Sequence, residues 1–98
     1  MWIRTQNKQR IINSDQIIDI FIDNTGKKIL AETTRDGDFF ALGEYENREV
    51  SLSVLDSLLA IIGTDAPAIC LPFGGETTEW KKEIETVATA YIANDLRK

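Results

Sequence analysis

Histidine is absent from this sequence and cysteine occurs once, as Cys70. A single thiol excludes an internal disulfide and fits a reducing compartment. Without histidine there is no Cys/His zinc site, no Ser-His-Asp or Cys-His nucleophilic pair and no imidazole general base. An enzyme is therefore not expected, nor a metal site or a cofactor. Long apolar runs are also missing: "IIDIFI" and "LSVLDSLLAII" are broken by Asp19, Ser53 and Asp56 and fall short of the ~20 residues of a membrane span. No membrane association is expected. Arg4, Lys8 and Arg10 near the start are followed by no apolar stretch of the kind a secretory signal carries, so a cytoplasmic location is expected. Cations are outnumbered, with a net charge of -5, which argues against binding extended nucleic acid through its phosphates.

What is present describes an ordinary folding chain of 98 residues, 43% apolar and 28% charged. A chain of this size buries about 60–65% of its unfolded surface around one thin core, so residues 1–98 are expected to form a single α+β domain. "WIRT" and "QRIIN" flank Gln6-Asn7-Lys8 and read as a tight hairpin with Asn7 tolerating the left-handed turn. In "QIIDIFID" a period of two puts Ile18, Ile20 and Ile22 on one face and Ile17, Asp19 and Phe21 on the other. Gly26 supplies the turn into "ILAETTR", and Asp36-Gly37 the turn into "FFALGEY". The expectation is an antiparallel meander of about five strands.

Asn47 is a natural N-cap, Glu49 suits the first helical turn, and Ser51, Leu55, Leu58 and Ile62, widened by Val54 and Ile61, make an apolar stripe. A helix is predicted over Arg48–Ile62, stopped by Gly63. "PAICLPF", bounded by Pro67 and Pro72, reads as an edge strand. Thr77 or Thr78 can cap a second helix in which Trp80, Ile84, Val87 and Tyr91 recur at helical spacing, beside Ala88 and Ile92. The two helices are expected to cover one face of the sheet. The other face then carries Ile17, Phe21, Phe39 and Ala41, apolar enough to predict a homo-oligomer.

The opening "MWIRTQNKQR" holds three cations, a tryptophan and no acid. With Trp2 and Arg4 on one face and Arg10 returning beside them, an indole and two guanidiniums would stack a base and pair a phosphate. The competing reading packs Trp2 over a sheet edge and pairs the arginines with neighbouring acids. Leu42-Gly43-Glu44-Tyr45 marks a strand-to-helix joint, where Gly43 permits a bulge and Tyr45 staples the helix start near Val50; alternatively Glu44 and Tyr45 meet a ribose hydroxyl or a base edge. Phe73-Gly74-Gly75 precedes a helix start whose free amides suit a phosphate; Glu76 follows with no lysine beside it, so the P-loop pattern is not met, and the competing reading is a flexible turn. Asp15, Asp19 and Asp23 recur every fourth residue, but on a strand they stand about 13 Å apart and form neither a metal site nor an acid/base pair. Trp80 and Tyr91 read as core or interface anchors.

The segments "MWIRTQNK" and "LGEYENREVSLSVLD" together resemble a family of short uncharacterised proteins of Firmicutes and their phages. These begin Met-Trp-Ile-Arg-Ser/Thr-Gln and close their meander with a Leu-Gly-Glu-Tyr tetrad leading into a helix. Here the matching positions are Leu42-Gly43-Glu44-Tyr45 and Val54-Leu55-Asp56, and the resemblance covers roughly residues 1–62. It implies a bacterial or phage cytosolic origin and carries over no catalytic residue.

These readings converge on a small non-enzymatic binding protein. One expectation is a homo-oligomeric anti-defence sponge that sequesters an anionic nucleotide-type signal through Trp2, Arg4, Arg10, Arg35, Tyr45 and Arg48. A second is an inhibitor of a host defence protein, anti-CRISPR-like, acting through its acidic surface, including Glu76, Glu79, Glu83 and Glu85, or through the C-terminal helix. A third is a purely structural oligomerisation module.

Overall fold

The computed structural model describes residues 1–34 and 38–96, and of 90–96 the helical backbone alone. It is an α+β fold with the strands β1 (Trp2–Arg4), β2 (Ile11–Asn13), β3 (Ile17–Ile22), β4 (Lys28–Thr33) and β5 (Phe39–Glu44), the helix α1 (Arg48–Ile62), the strand β6 (Ala68–Cys70) and the helix α2 (Thr77–Leu96). The strands do not form the expected five-stranded meander. They divide into two three-stranded sheets, ordered β2-β1-β6 and β3-β4-β5. The break falls between β2 and β3, where the turn Ser14–Gln16 joins the strands without pairing them, and β6 adds to the free edge of β1 in parallel, with Ile3 opposite Ile69. That places β1 at the centre of its own sheet, with both edges taken by β2 and β6.

The β1–β2 hairpin forms as the sequence suggests, with Arg4 opposite Ile11 and Trp2 opposite Asn13. Its left-handed residue, however, is Lys8 (φ 65) and not Asn7. Asn7 acts through its side chain: Oδ1 accepts from the Thr5 hydroxyl at 2.8 Å and from the Gln9 N–H at 3.0 Å. Asparagine competing for nearby backbone donors fixes the turn from outside the left-handed position.

Two β-bulges rewrite the alternation of the second sheet. In β3 the register passes from Ile17 opposite Thr33 to Asp19 opposite Glu32, leaving Ile18 unpaired. The extra residue inverts the phase: Ile17, Ile20 and Ile22 pack against the core while Ile18 is 61% exposed. Ile17 therefore leaves the outer face to which the alternation assigned it. Phe21, Phe39 and Ala41 remain there, Phe21 and Phe39 meeting edge to face at 5.8 Å. In β5, Ile29 faces Gly43 and Leu30 faces Ala41, so Leu42 is the bulged residue. Asp15, expected on the strand, lies instead in a 3-10 turn (Ser14–Gln16) capped by Asn13.

Helix α1 has the boundaries the sequence predicts, and Asn47 caps it by accepting from the Val50 N–H at 3.0 Å. Its buried stripe is Ser51, Val54, Ser57, Leu58 and Ile61. Leu55 is only half-buried and Ile62 is exposed, so the stripe is rotated from the Leu55–Ile62 line. Past Gly63, the Thr64 hydroxyl closes the C-terminus by donating to Ile61 O at 2.6 Å. Helix α2 starts at Thr77, which is its first helical residue and so does not precede it as a cap, and the Thr77 hydroxyl donates to Gly74 O at 3.3 Å. Trp80, Ile84 and Ala88 face the core together with Ile3, Ile29, Leu42, Val54, Leu58 and Leu71. Tyr91 and Ile92 lie outside the residues whose side chains are described.

Candidate functional site

The register of the hairpin decides which of the opening cations come together. Because Arg4 faces Ile11 across the pair, side chains of even number on β1 share an outer face with Ile11 and Asn13, and Arg10 points the opposite way. Trp2 and Arg4 do share that outer face, where they border a shallow cavity of about 350 Å³ with Ile11, Ala68 and Cys70. Trp2 is 53% exposed. The Arg4 guanidinium, however, donates through Nε (3.2 Å) and Nη2 (3.1 Å) to Lys8 O, clamping the turn. Arg10 is not beside Trp2 and Arg4 as expected. It lies over the ring of Phe40 at 4.1 Å, a cation–π contact on the core side.

The other expected ligand residues are placed elsewhere. Arg48 opens α1 and lies against the β3–β4 turn, where a Cβ on Gly26 (φ +78) would come within 3.0 Å of Arg48 Cβ. Tyr45 is buried in the core and its hydroxyl donates to Pro72 O at 3.0 Å. Burial, with a smaller contribution from nearby Cys70, pushes this phenol well above its ordinary range. Arg35 lies outside the described residues.

The Leu-Gly-Glu-Tyr tetrad is instead the seam between the sheets. The bulge turns the Leu42 carbonyl to the Gln6 N–H, which donates to it at 2.8 Å. The Gln6 side chain then pairs with Glu44, Nε2 donating to Glu44 O (2.8 Å) and Oε1 accepting from the Glu44 N–H (2.9 Å). Nε2 also donates to Pro72 O at 3.1 Å, the same carbonyl that Tyr45 meets. Gly43 is required here, since a Cβ would lie 2.9 Å from the Tyr45 hydroxyl. Nothing in the sequence around Gln6 signals this role, because its partners lie far along the chain.

A second surface lies along the proline-bounded segment, which the sequence marks only as an edge strand. Between β6 and α2 runs a groove of about 320 Å³ with Leu71, Ile84 and Val87 on its apolar floor and Glu76, Glu79 and Glu83 along its rim. Trp80 spans one end, its indole N–H donating to Cys70 O at 2.8 Å. Lys8 reaches in from the hairpin turn, 3.4 Å from Cys70 Sγ and 5.6 Å from the centre of the Phe73 ring. A Cβ on Gly74 or Gly75 would meet nothing within 4 Å, and the Glu76 N–H that follows them is taken by Phe73 O at 3.0 Å.

Among the described residues no group of three or more acidic, cysteine or histidine side chains could hold a metal ion, and no helix is long and apolar enough to cross a membrane. In comparisons with protein-family models, curated proteins and solved structures, nothing matched this chain.

Proposed function

We propose that this chain is a small non-enzymatic binding protein of bacterial or phage origin that works in the cytoplasm by contacting another protein. The observation that carries this reading is the set of large apolar side chains on surfaces the helices leave uncovered: Trp2 and Ile11 outside the first sheet, Phe39 outside the second, and Leu59, 75% exposed, on α1. Trp2 and Ile11 lie together on the outer cavity of the first sheet, and large apolar side chains grouped in this way mark contact surfaces. The origin and an anti-defence role rest on the resemblance carried by "MWIRTQNK" and the Leu-Gly-Glu-Tyr tetrad.

The test is affinity capture and analytical ultracentrifugation with the natural chain and with Trp2→Ser and Phe39→Ser variants whose melting is unchanged. A specific partner, or self-association, that one variant loses is the expected result. A monomer that retains nothing the variants distinguish overturns the reading, and association with itself alone makes the chain an oligomerisation module.

A ligand-sequestering role has one observation in its favour, the shared face of Trp2 and Arg4 above the outer cavity. An indole and a guanidinium there suit an anionic nucleotide-type molecule. Native mass spectrometry on gently purified protein decides it: a releasable small molecule lost in Trp2→Ala supports sequestration, and an apo species removes it.

A further inference from the structure

Among the described residues, strand β6 is paired with another strand along one edge only. The Trp2 N–H donates to Pro67 O at 2.9 Å and the Leu71 N–H to Arg4 O at 3.0 Å. In a parallel ladder with this register the odd-numbered residues turn their backbone groups to β1, and Ala68 and Cys70 turn theirs away. The Trp80 indole takes the Cys70 carbonyl. The N–H and C=O of Ala68 and the N–H of Cys70 meet no hydrogen-bond partner among the described residues. These groups line the side of the groove that α2 faces.

The groove is therefore a strand edge, an apolar floor and a rim of Glu76, Glu79 and Glu83 set against the single ammonium of Lys8. Each feature selects for part of one occupant. The edge selects an extended backbone, the floor selects aliphatic stems, and the carboxylates select cations.

We propose that this groove binds an extended peptide segment carrying lysine or arginine, which adds to β6 as a fourth strand of the first sheet. The proposal rests on the protein-binding reading and gives that partner its chemistry. One peptide residue opposite Ala68 exchanges both backbone bonds with it in the antiparallel sense. Alternate side chains of the segment point toward α2, where a cation meets Glu79 and Glu83 while its stem covers Val87.

The test uses the full chain carrying Trp2→Phe, which leaves Trp80, at the groove, as its only tryptophan. Its fluorescence is titrated with capped hexapeptides alternating lysine and valine, alternating glutamate and valine, and the lysine peptide N-methylated at alternate residues. A saturable change with the lysine peptide is expected, weakened about tenfold by Glu79→Lys with Glu83→Lys, by N-methylation, and by Ala68→Pro. That proline removes an outward N–H and no donor to β1. Equal response to the lysine and glutamate peptides, or no saturable response, overturns the proposal. Loss with charge reversal but not with N-methylation also overturns it, since the segment then docks without pairing. If affinity capture still returns a partner while the peptide fails, the groove assignment falls and the protein-binding reading stands; if both fail, both fall.

Discussion

Gln6 pairs with Glu44 as one strand residue pairs with another, its side-chain amide donating to and accepting from the Glu44 backbone at 2.8 and 2.9 Å. The amide orientation is set by its neighbours, with two carbonyls facing Nε2 and one N–H facing Oε1. Gln6→Glu places an acceptor opposite the carbonyls of Glu44 and Pro72. It is expected to cost about 1–3 kcal/mol, more than Gln6→Ala, as read by urea denaturation at neutral pH.

Gly43→Ala is expected to destabilise the chain by about 1–3 kcal/mol, because the added methyl meets the Tyr45 hydroxyl at 2.9 Å and the ring at 3.1 and 3.2 Å. The double variant with Tyr45→Ala recovers part of this penalty. A double-mutant cycle in denaturant measures the coupling.

Tyr45→Phe removes the donor to Pro72 O and is expected to cost about 0.5–1.5 kcal/mol, since Gln6 still reaches that carbonyl. Burial raises the folded-state pKa of this phenol above its unfolded value. Its contribution is therefore fully present below about pH 10 and is lost as pH rises beyond it. The natural chain should lose stability in strong alkali more steeply than the Tyr45→Phe variant, as thermal melts across pH 8 to 12 would record.

Asp23 behaves in the opposite sense. Its carboxylate accepts from the Thr25 hydroxyl at 2.6 Å and from the Lys28 N–H at 3.3 Å, and the Thr25 bond leads in holding its pKa below the ordinary value of 3.8. The contribution of a depressed carboxylate is present above its unfolded pKa and fades as pH falls through the folded one. Asp23→Asn is expected to lower the melting temperature at pH 7, with the difference from the natural chain shrinking below about pH 3.8.

How much of this was legible in the sequence depended on how far apart the partners lie. Asn47 and Val50 are three residues apart, so the cap and the span of α1 could be read directly. The pairing of β1 with β6 joins Ile3 to Ile69, and no local pattern announces it. The bulges at Ile18 and Leu42 sit inside runs that look regular, and each inverts the alternation on which face assignments depend. Arg10 shows the same sensitivity: a register in which Arg4 faces Ile11 sends it to Phe40 and breaks up the expected cation cluster. The Leu-Gly-Glu-Tyr tetrad was correctly located as a joint, but its partner Gln6 was not, because glutamine has no spacing rule that marks a side chain imitating a strand.

The central position of β1 also bears on how the chain acquires its shape. β3, β4 and β5 are neighbours in sequence and pair across short turns, so that sheet can assemble from local contacts. The first sheet is complete only when residues 68–70 return to the opening segment, closing a loop that spans most of the chain and carries the entropic cost of a distant contact. Residues 68–70 are far along the chain from residues 2–4, so the second edge of β1 is filled by a non-local contact. The strand pairing of greatest sequence separation is therefore the one that builds the groove.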